Sequence, residues 1–264
     1  AVKWALDESF TGIIRLSSLD VVAPPAHYVE FVDRESIVMA EAFAQFDHAY
    51  GRFRLGKLPI DFGLEGTKSE SDLILPRALL FEKRIIGLRD IGFSYAVDYN
   101  NFFTEAVVHN GEGGNDKDGE FSYTARWGYK FEKSLIGLAG QTGKTGPLST
   151  ALSKDDLAGV DETQPAKWVT GGLFMQFRPK RALIELEAYY GERVQELESS
   201  GFITGHFDAG YEWTERFSTF LRYDILDRDT HFNDDTTHRA ILGLVFTNKS
   251  RNSRLLLMAA HDFN

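Results

Sequence analysis

Cysteine is absent from this sequence, which excludes a disulfide framework and any thiolate metal site. No run approaches the roughly 20 consecutive apolar residues that a transmembrane helix needs. Cations are in the minority, with 29 Lys and Arg against 39 Asp and Glu and a formal net charge of −10. That balance argues against a nucleic-acid partner, which would want a basic stripe. A signal peptide is not visible either, since Ala1-Val2-Lys3-Trp4 has neither a basic n-region nor an apolar h-region. If the protein is exported, this sequence is expected to be a mature form or a fragment. Hydropathy alone would describe a soluble chain, but a barrel strand hides its lipid face by alternating apolar with polar residues.

Alternation is what the sequence does contain, together with 21 Phe and 13% aromatic residues. In the stretch 119–132, GEFSYTARWGYKFE, one face carries Phe121, Tyr123, Ala125, Trp127, Tyr129 and Phe131. The other carries Glu120, Ser122, Thr124, Arg126, Gly128 and Lys130. Strand side chains point alternately to opposite faces, so this is a ribbon with one apolar and one polar side. The same period runs through 37–47, 184–191, 203–213 and 239–247. No stretch pairs a helix cap with an amphipathic run.

The connections sort by length. Short polar turns are read at 48–51, 98–101, 132–134, 178–181, 214–216 and 248–253. Between them lie longer, acidic, Gly-rich loops at roughly 23–36, 64–83, 111–118, 146–166, 194–200 and 229–236. Outer-membrane barrels have short periplasmic turns and longer extracellular loops. The fold expected is therefore all-β: one antiparallel transmembrane β-barrel domain over residues 1–264.

Strands are predicted near 10–19, 37–47, 51–63, 85–97, 102–110, 119–131, 135–145, 167–178, 182–193, 201–213, 217–227, 237–247 and 253–263, which makes 13. Bacterial single-chain barrels have even numbers, so about 14 strands (range 12–16) are expected in the complete protein. The odd count has two readings. A last strand beyond Asn264 is favoured, and the alternative is an extra short strand over Val2 to Leu6. Two segments break the alternation. Around Gly56 the apolar face switches from Phe53 and Leu55 to Leu58, Ile60 and Phe62, and a β-bulge there would restore one face. The stretch 73–86, LILPRALLFEKRII, is too apolar for an exposed loop and is expected to fold inward as a constriction or to cover the rim.

The segments YGRFRLGKLPIDFGLE (50–65), LPRALLFEKRIIGLRDIGFSY (75–95) and VVHNGEG (107–113), with NSRLLLMAAHDF (252–263), carry a family resemblance. Together they resemble the phosphate-selective porin O and P family. The resemblance implies a wide antiparallel barrel of the bacterial outer membrane, commonly a homotrimer, that conducts anions such as phosphate past rows of Arg. It also implies a further strand after Asn264. It is strongest in the first half of the chain and moderate in the last 30 residues.

By face, the basic residues expected to line a pore are Arg15, Arg54, Arg126, Arg222, Arg239 and Arg254. The carboxylates Glu41, Glu105, Glu120, Glu185, Glu187, Asp208, Glu212 and Asp224 share that side. Rings of charge select ions by sign at a constriction, but Arg and Glu on neighbouring strands equally well fill a plugged barrel. The mixture departs from a strongly anion-selective lining. Tyr123, Trp127, Tyr129, Tyr190, Tyr211, Trp213 and Tyr223 face outward and are expected to form an aromatic girdle at the periplasmic interface.

Other motifs read blandly. GLAGQTGKTG (137–146) has one residue too many for a P-loop and Pro147 instead of a helix after it. The stretch 115–120 lacks the remaining ligands of a calcium loop, and His231, Asp234, Asp235 and His238 fit no zinc spacing. No nucleophile stands near the Glu185 and Glu187 pair. The expectation is a porin passing small polar or ionic solutes, with no catalysis, cofactor or metal. Its partners would be outer-membrane lipid and lipopolysaccharide. The alternative is a closed or plugged barrel that serves the envelope structurally or clasps other envelope proteins. A soluble β-rich enzyme or binder is the third class.

Overall fold

The computed structural model describes residues 2–5, 9–18, 37–69, 72–83, 85–111, 119–145, 166–195, 198–231, 235–248 and 254–263. Fourteen strands form one sheet in which every neighbour in sequence is an antiparallel neighbour in space. They are β1 (Val2–Ala5), β2 (Phe10–Ser18), β3 (Ile37–His48), β4 (Gly51–Pro59), β5 (Arg89–Tyr99), β6 (Phe102–His109) and β7 (Ser122–Phe131). There follow β8 (Ser134–Thr145), β9 (Ala166–Phe177), β10 (Ala182–Gln195), β11 (Glu198–Thr214), β12 (Phe217–Asp227), β13 (Thr237–Thr247) and β14 (Arg254–Phe263).

Twelve of the strands predicted between 37 and 263 lie where the alternation places them. The count of 13 is corrected to 14, and the added strand is the short N-terminal reading: Val2 pairs with Ile14 and Ala5 with Thr11. Both β1 and β14 are exposed on both faces where their side chains are described. Because the added strand precedes the first turn, β1 starts, and β14 ends, at the long-connection end of the sheet. The expected loop at 194–200 is also corrected, since β10 and β11 stay paired out to Gln195 and Glu198. The long loops read at 23–36 and 146–166 lie almost wholly outside the described residues, as do 112–118 and 232–234.

The sheet has an inside. On β6 the residues Phe103, Glu105, Val107 and His109 are buried while Phe102, Thr104, Ala106 and Val108 are exposed. The buried set carries the two ionisable residues and the exposed set is largely apolar, unlike a water-soluble sandwich and in the pattern of a lipid-facing wall. The exposed apolar side chains continue around the sheet: Leu55, Phe93, Val108, Trp127, Leu138, Leu173, Ile203, Leu221, Leu242 and Leu257.

The segment between β4 and β5 runs along that inside. It holds a 3-10 turn (Glu65–Thr67) and one turn of helix, α1 (Leu79–Glu82). Leu58, Ile60 and Phe62 are wholly buried. No bulge rescues their face: Phe43 pairs with Gly56 and Ala42 with Lys57 in unbroken register, and Gly56 takes a φ of +128°. The apolar parity switch in the sequence is therefore real, and its cause is that the chain turns into the interior. Leu58 and Ile60 pack with Phe43 and Val107. Phe62, Leu64, Leu79, Leu80, Phe81, Ile85 and Ile86 pack with Phe103, Phe174, Tyr189, Phe202 and Leu226 from the wall.

Candidate functional site

One segment touches strands that a flat sheet would hold far apart. Asp61 lies 2.9 Å from Arg54 on β4, and Arg126 on β7 donates to the Gly63 carbonyl. The Glu65 amide donates to Glu187 on β10, and the Glu65 carboxylate accepts from Arg222 on β12 at 2.8 Å. Glu82 meets Arg239 on β13. At about 4.8 Å between neighbours, β4 and β13 would be roughly 43 Å apart in a flat sheet. The sheet must curl round the segment for these contacts to exist.

The geometry around Arg222 is the most complete. Its Nε and Nη2 donate to the two oxygens of Asp208, each at 2.6 Å. Its other contacts are Glu65 and the Pro76 carbonyl, both from the inward segment. The second Glu65 oxygen accepts from the Ala78 amide at 2.7 Å, and Arg77 donates back to the Glu65 carbonyl. Each nitrogen of the enclosed guanidinium thus has an acceptor, and four of its five N–H groups are matched.

The same pattern repeats around the wall. Arg239 is held by Asp224 at 2.8 Å and donates to the Arg77 carbonyl. Lys68 pairs with Glu185 at 2.5 Å, and Gln176 donates to the other Glu185 oxygen. Tyr189 donates to Glu187 at 2.6 Å, with His206 3.7 Å from the same carboxylate. Arg54 joins Glu105, Asp61 and Ser94, and Arg126 reaches Glu105 at 3.2 Å while lying over the Phe103 ring. Nearer the long-connection end, Arg89 pairs with Glu41 at 3.1 Å.

Of the residues singled out by sequence, the structure brings Glu41, Arg54, Glu105, Arg126, Glu185, Glu187, Asp208, Arg222, Asp224 and Arg239 to the interior. Glu212 does not join them; it is exposed near the tight-turn end of β11. Glu120 precedes β7 and lies 3.6 Å from Lys144. Arg15 and Arg254 fall in β2 and β14, with Arg15 opposite Glu41 in the backbone register, but their side chains lie outside the described residues. Sequence reasoning missed the partners supplied by the segment: Asp61, Glu65, Lys68, Arg77 and Glu82. Of these, Arg77 and Glu82 fall in the apolar stretch 73–86 that the sequence marks as inward, and Asp61, Glu65 and Lys68 fall before it.

All seven outward aromatics are exposed, but they do not form one band. Tyr129, Tyr211 and Trp213 lie toward the tight turns, with Phe46, Phe102, Phe131, Phe177, Phe217 and Phe246 beside them at strand ends. Tyr123, Tyr190 and Tyr223 lie toward the long connections, where Tyr223 contacts His238, and Trp127 sits between. The single periplasmic girdle is corrected to two levels, because strands of alternating direction present their ends to both rims.

The P-loop-like stretch is strand in β8 as far as Thr145, and residues 146–165 lie outside the described residues. His231 is engaged by Asp229 and His238 by Tyr223, and no group of three metal-type ligands occurs among the described residues.

A curled antiparallel sheet with an apolar exterior and a charged interior is the architecture of a transmembrane β-barrel. No family model and no curated protein matches the chain. Solved structures do. The chain is similar to the outer membrane protein OmpT of Vibrio cholerae in its trimer form, with a TM-score of 0.71 at 12% identity over 98% of this chain and 78% of that one. It is similar to an anion-selective porin from Comamonas acidovorans, with a TM-score of 0.64 at 15% identity over 98% and 76%. A further porin gives 0.56 at 13% identity over 98% and 84%. At such identities the likeness establishes the β-barrel fold.

Proposed function

We propose that the protein is an integral outer-membrane porin giving passive passage to small polar or ionic solutes. The observation that carries this reading is the inward segment, which narrows a charged interior enclosed by a wall with an apolar outside. The pore-lining set on this reading is Arg54, Glu105, Arg126, Glu185, Glu187, Asp208, Arg222, Asp224, Arg239 and Glu41. Glu212 would lie towards its margin, and Arg15 and Arg254 are candidates for the same lining. The two aromatic levels fit the two membrane–water interfaces.

The resemblance to phosphate-selective porins suggests anions, and one structural neighbour is described as anion-selective. Against a row of phosphate-binding arginines stands their pairing: Arg54, Arg126, Arg222 and Arg239 each hold a carboxylate. A mixed lining therefore favours small solutes of either sign. A homotrimer is in keeping with the trimer form of one neighbour.

The same ion pairs also serve the second reading, a plugged barrel with a structural or partner-binding role in the envelope. Single-channel recording of the purified chain in a planar bilayer separates the two. Stable ohmic steps support the porin; a folded, heat-modifiable protein that stays silent overturns it.

A further inference from the structure

The turn between β9 and β10 reads Arg178-Pro179-Lys180-Arg181, and all three cations in it are exposed. Lys180, in the tip of the hairpin, occupies the left-handed region at φ 48°. In the neighbouring turn Arg216 is exposed as well. Among the described residues none of these four has a carboxylate within ion-pair distance, although the exposed Glu212 and Glu215 lie in the same region. Lys130, elsewhere on this end of the sheet, is by contrast paired with Asp98. Like charges packed into four residues repel one another unless an anion lies between them.

The surroundings identify the anion. Phe177, Tyr211 and Trp213 stand on the outer face directly beside the turn, and Arg181 donates to the Trp213 carbonyl at 3.4 Å. Aromatic side chains at such a level mark the lipid headgroup zone. The opposite end of the sheet carries the reverse charge. The connections 19–36, 110–121 and 146–165 each hold four carboxylates against one cation in sequence, and 228–236 holds three against one. The basic turn thus stands at an aromatic level where headgroup phosphates meet the rings, at the end away from the acidic connections.

We propose that the Arg178–Arg181 turn binds the phosphate headgroup of an anionic phospholipid in the leaflet on the tight-turn side. The inference rests on the membrane reading above. Guanidinium forks match phosphate oxygens in pairs, and each cation near an anionic surface adds a comparable increment of binding.

The test is native mass spectrometry of the purified full chain in detergent, titrated with phosphatidylglycerol or phosphatidylcholine. The unaltered protein is expected to retain phosphatidylglycerol in preference. The variant Arg178→Gln/Lys180→Gln/Arg181→Gln is expected to retain it about tenfold less or weaker still, with bilayer conductance and heat-modifiable migration unchanged. The variant Arg178→Lys/Arg181→Lys, which keeps the charge, is expected to retain most of it. Equal retention by the Gln variant, or equal retention of phosphatidylcholine, overturns the proposal while leaving the porin intact. Capture of the chain by peptidoglycan sacculi, lost in the Gln variant with lipid retention unaltered, assigns the turn to the cell wall and also overturns it. A chain that needs no detergent and never inserts removes the membrane reading itself.

Discussion

Arg222 and Glu65 stand 2.8 Å apart inside the sheet, although 157 positions separate them in the chain. Their contact joins the inward segment to the wall, and Asp208 completes a buried triad about the same guanidinium. Replacing Arg222 by Ala strands Glu65 and Asp208 without their cation. The expected loss is about 3–5 kcal/mol of folding free energy, read as a lower urea midpoint for unfolding from lipid vesicles. An apolar set, Arg222→Met with Glu65→Leu and Asp208→Leu, is expected to lose much less, because no lone charge is left behind. An unchanged midpoint for Arg222→Ala would show that the triad holds nothing.

Leu79 and Phe81 anchor α1 against the wall, at 1% and 3% exposure. Truncating both to Ala removes contacts worth about 2–5 kcal/mol for the Leu and 3–5 for the Phe. The segment should loosen before the hydrogen-bonded wall does. Single-channel recordings are expected to show larger and noisier steps than the unaltered chain. Identical steps would mean that the segment is not the narrowest part of the path.

Leu138 lies on the outer face of β8, opposite Trp127 on one side and Leu173 on the other. In a bilayer its replacement by Arg is expected to cost about 2–4 kcal/mol, if it sits near the midplane. The measurement is the free energy of folding into phospholipid vesicles. A neutral effect would count against a lipid-facing wall.

The interior pairing predicts weak ion selectivity. Under a KCl gradient the reversal potential is expected to stay near zero, with permeabilities to K⁺ and Cl⁻ of similar size. A strongly anion-selective potential would restore the phosphate reading that the family resemblance implies, and would mean that Arg15 or Arg254 governs the path.

Much of the wall was legible because its signal is local. Strand period, turn composition and exposure all follow from neighbours two residues apart, so β6 or β7 can be read off a dozen letters. The inward segment was harder. Leu58, Ile60 and Phe62 look like a strand with a slipped face, and only the course of the chain reveals that they are meant to be inside. Glu65, Lys68 and Glu82 were unreadable as site residues for a different reason. Their partners Arg222, Glu185 and Arg239 lie 157, 117 and 157 positions away, and a sequence carries no mark of which distant charge a carboxylate will meet. The short strand Val2–Ala5 is faint in the sequence, since four residues give alternation too little room to show.

The distances along the chain also dictate an order of events. The segment 60–88 emerges between β4 and β5, yet its ion-pair partners on β10, β12 and β13 come more than a hundred residues later. Contacts so remote in sequence form slowly, since the loop entropy must be met before they reward it. The wall must therefore gather around a segment in which Glu65, Lys68 and Glu82 have no permanent ion-pair partners until the last third of the chain arrives. Assembly should pass through a stage in which strands are paired while the interior is still unlatched, and the arginines of β12 and β13 would be the last bolts to close.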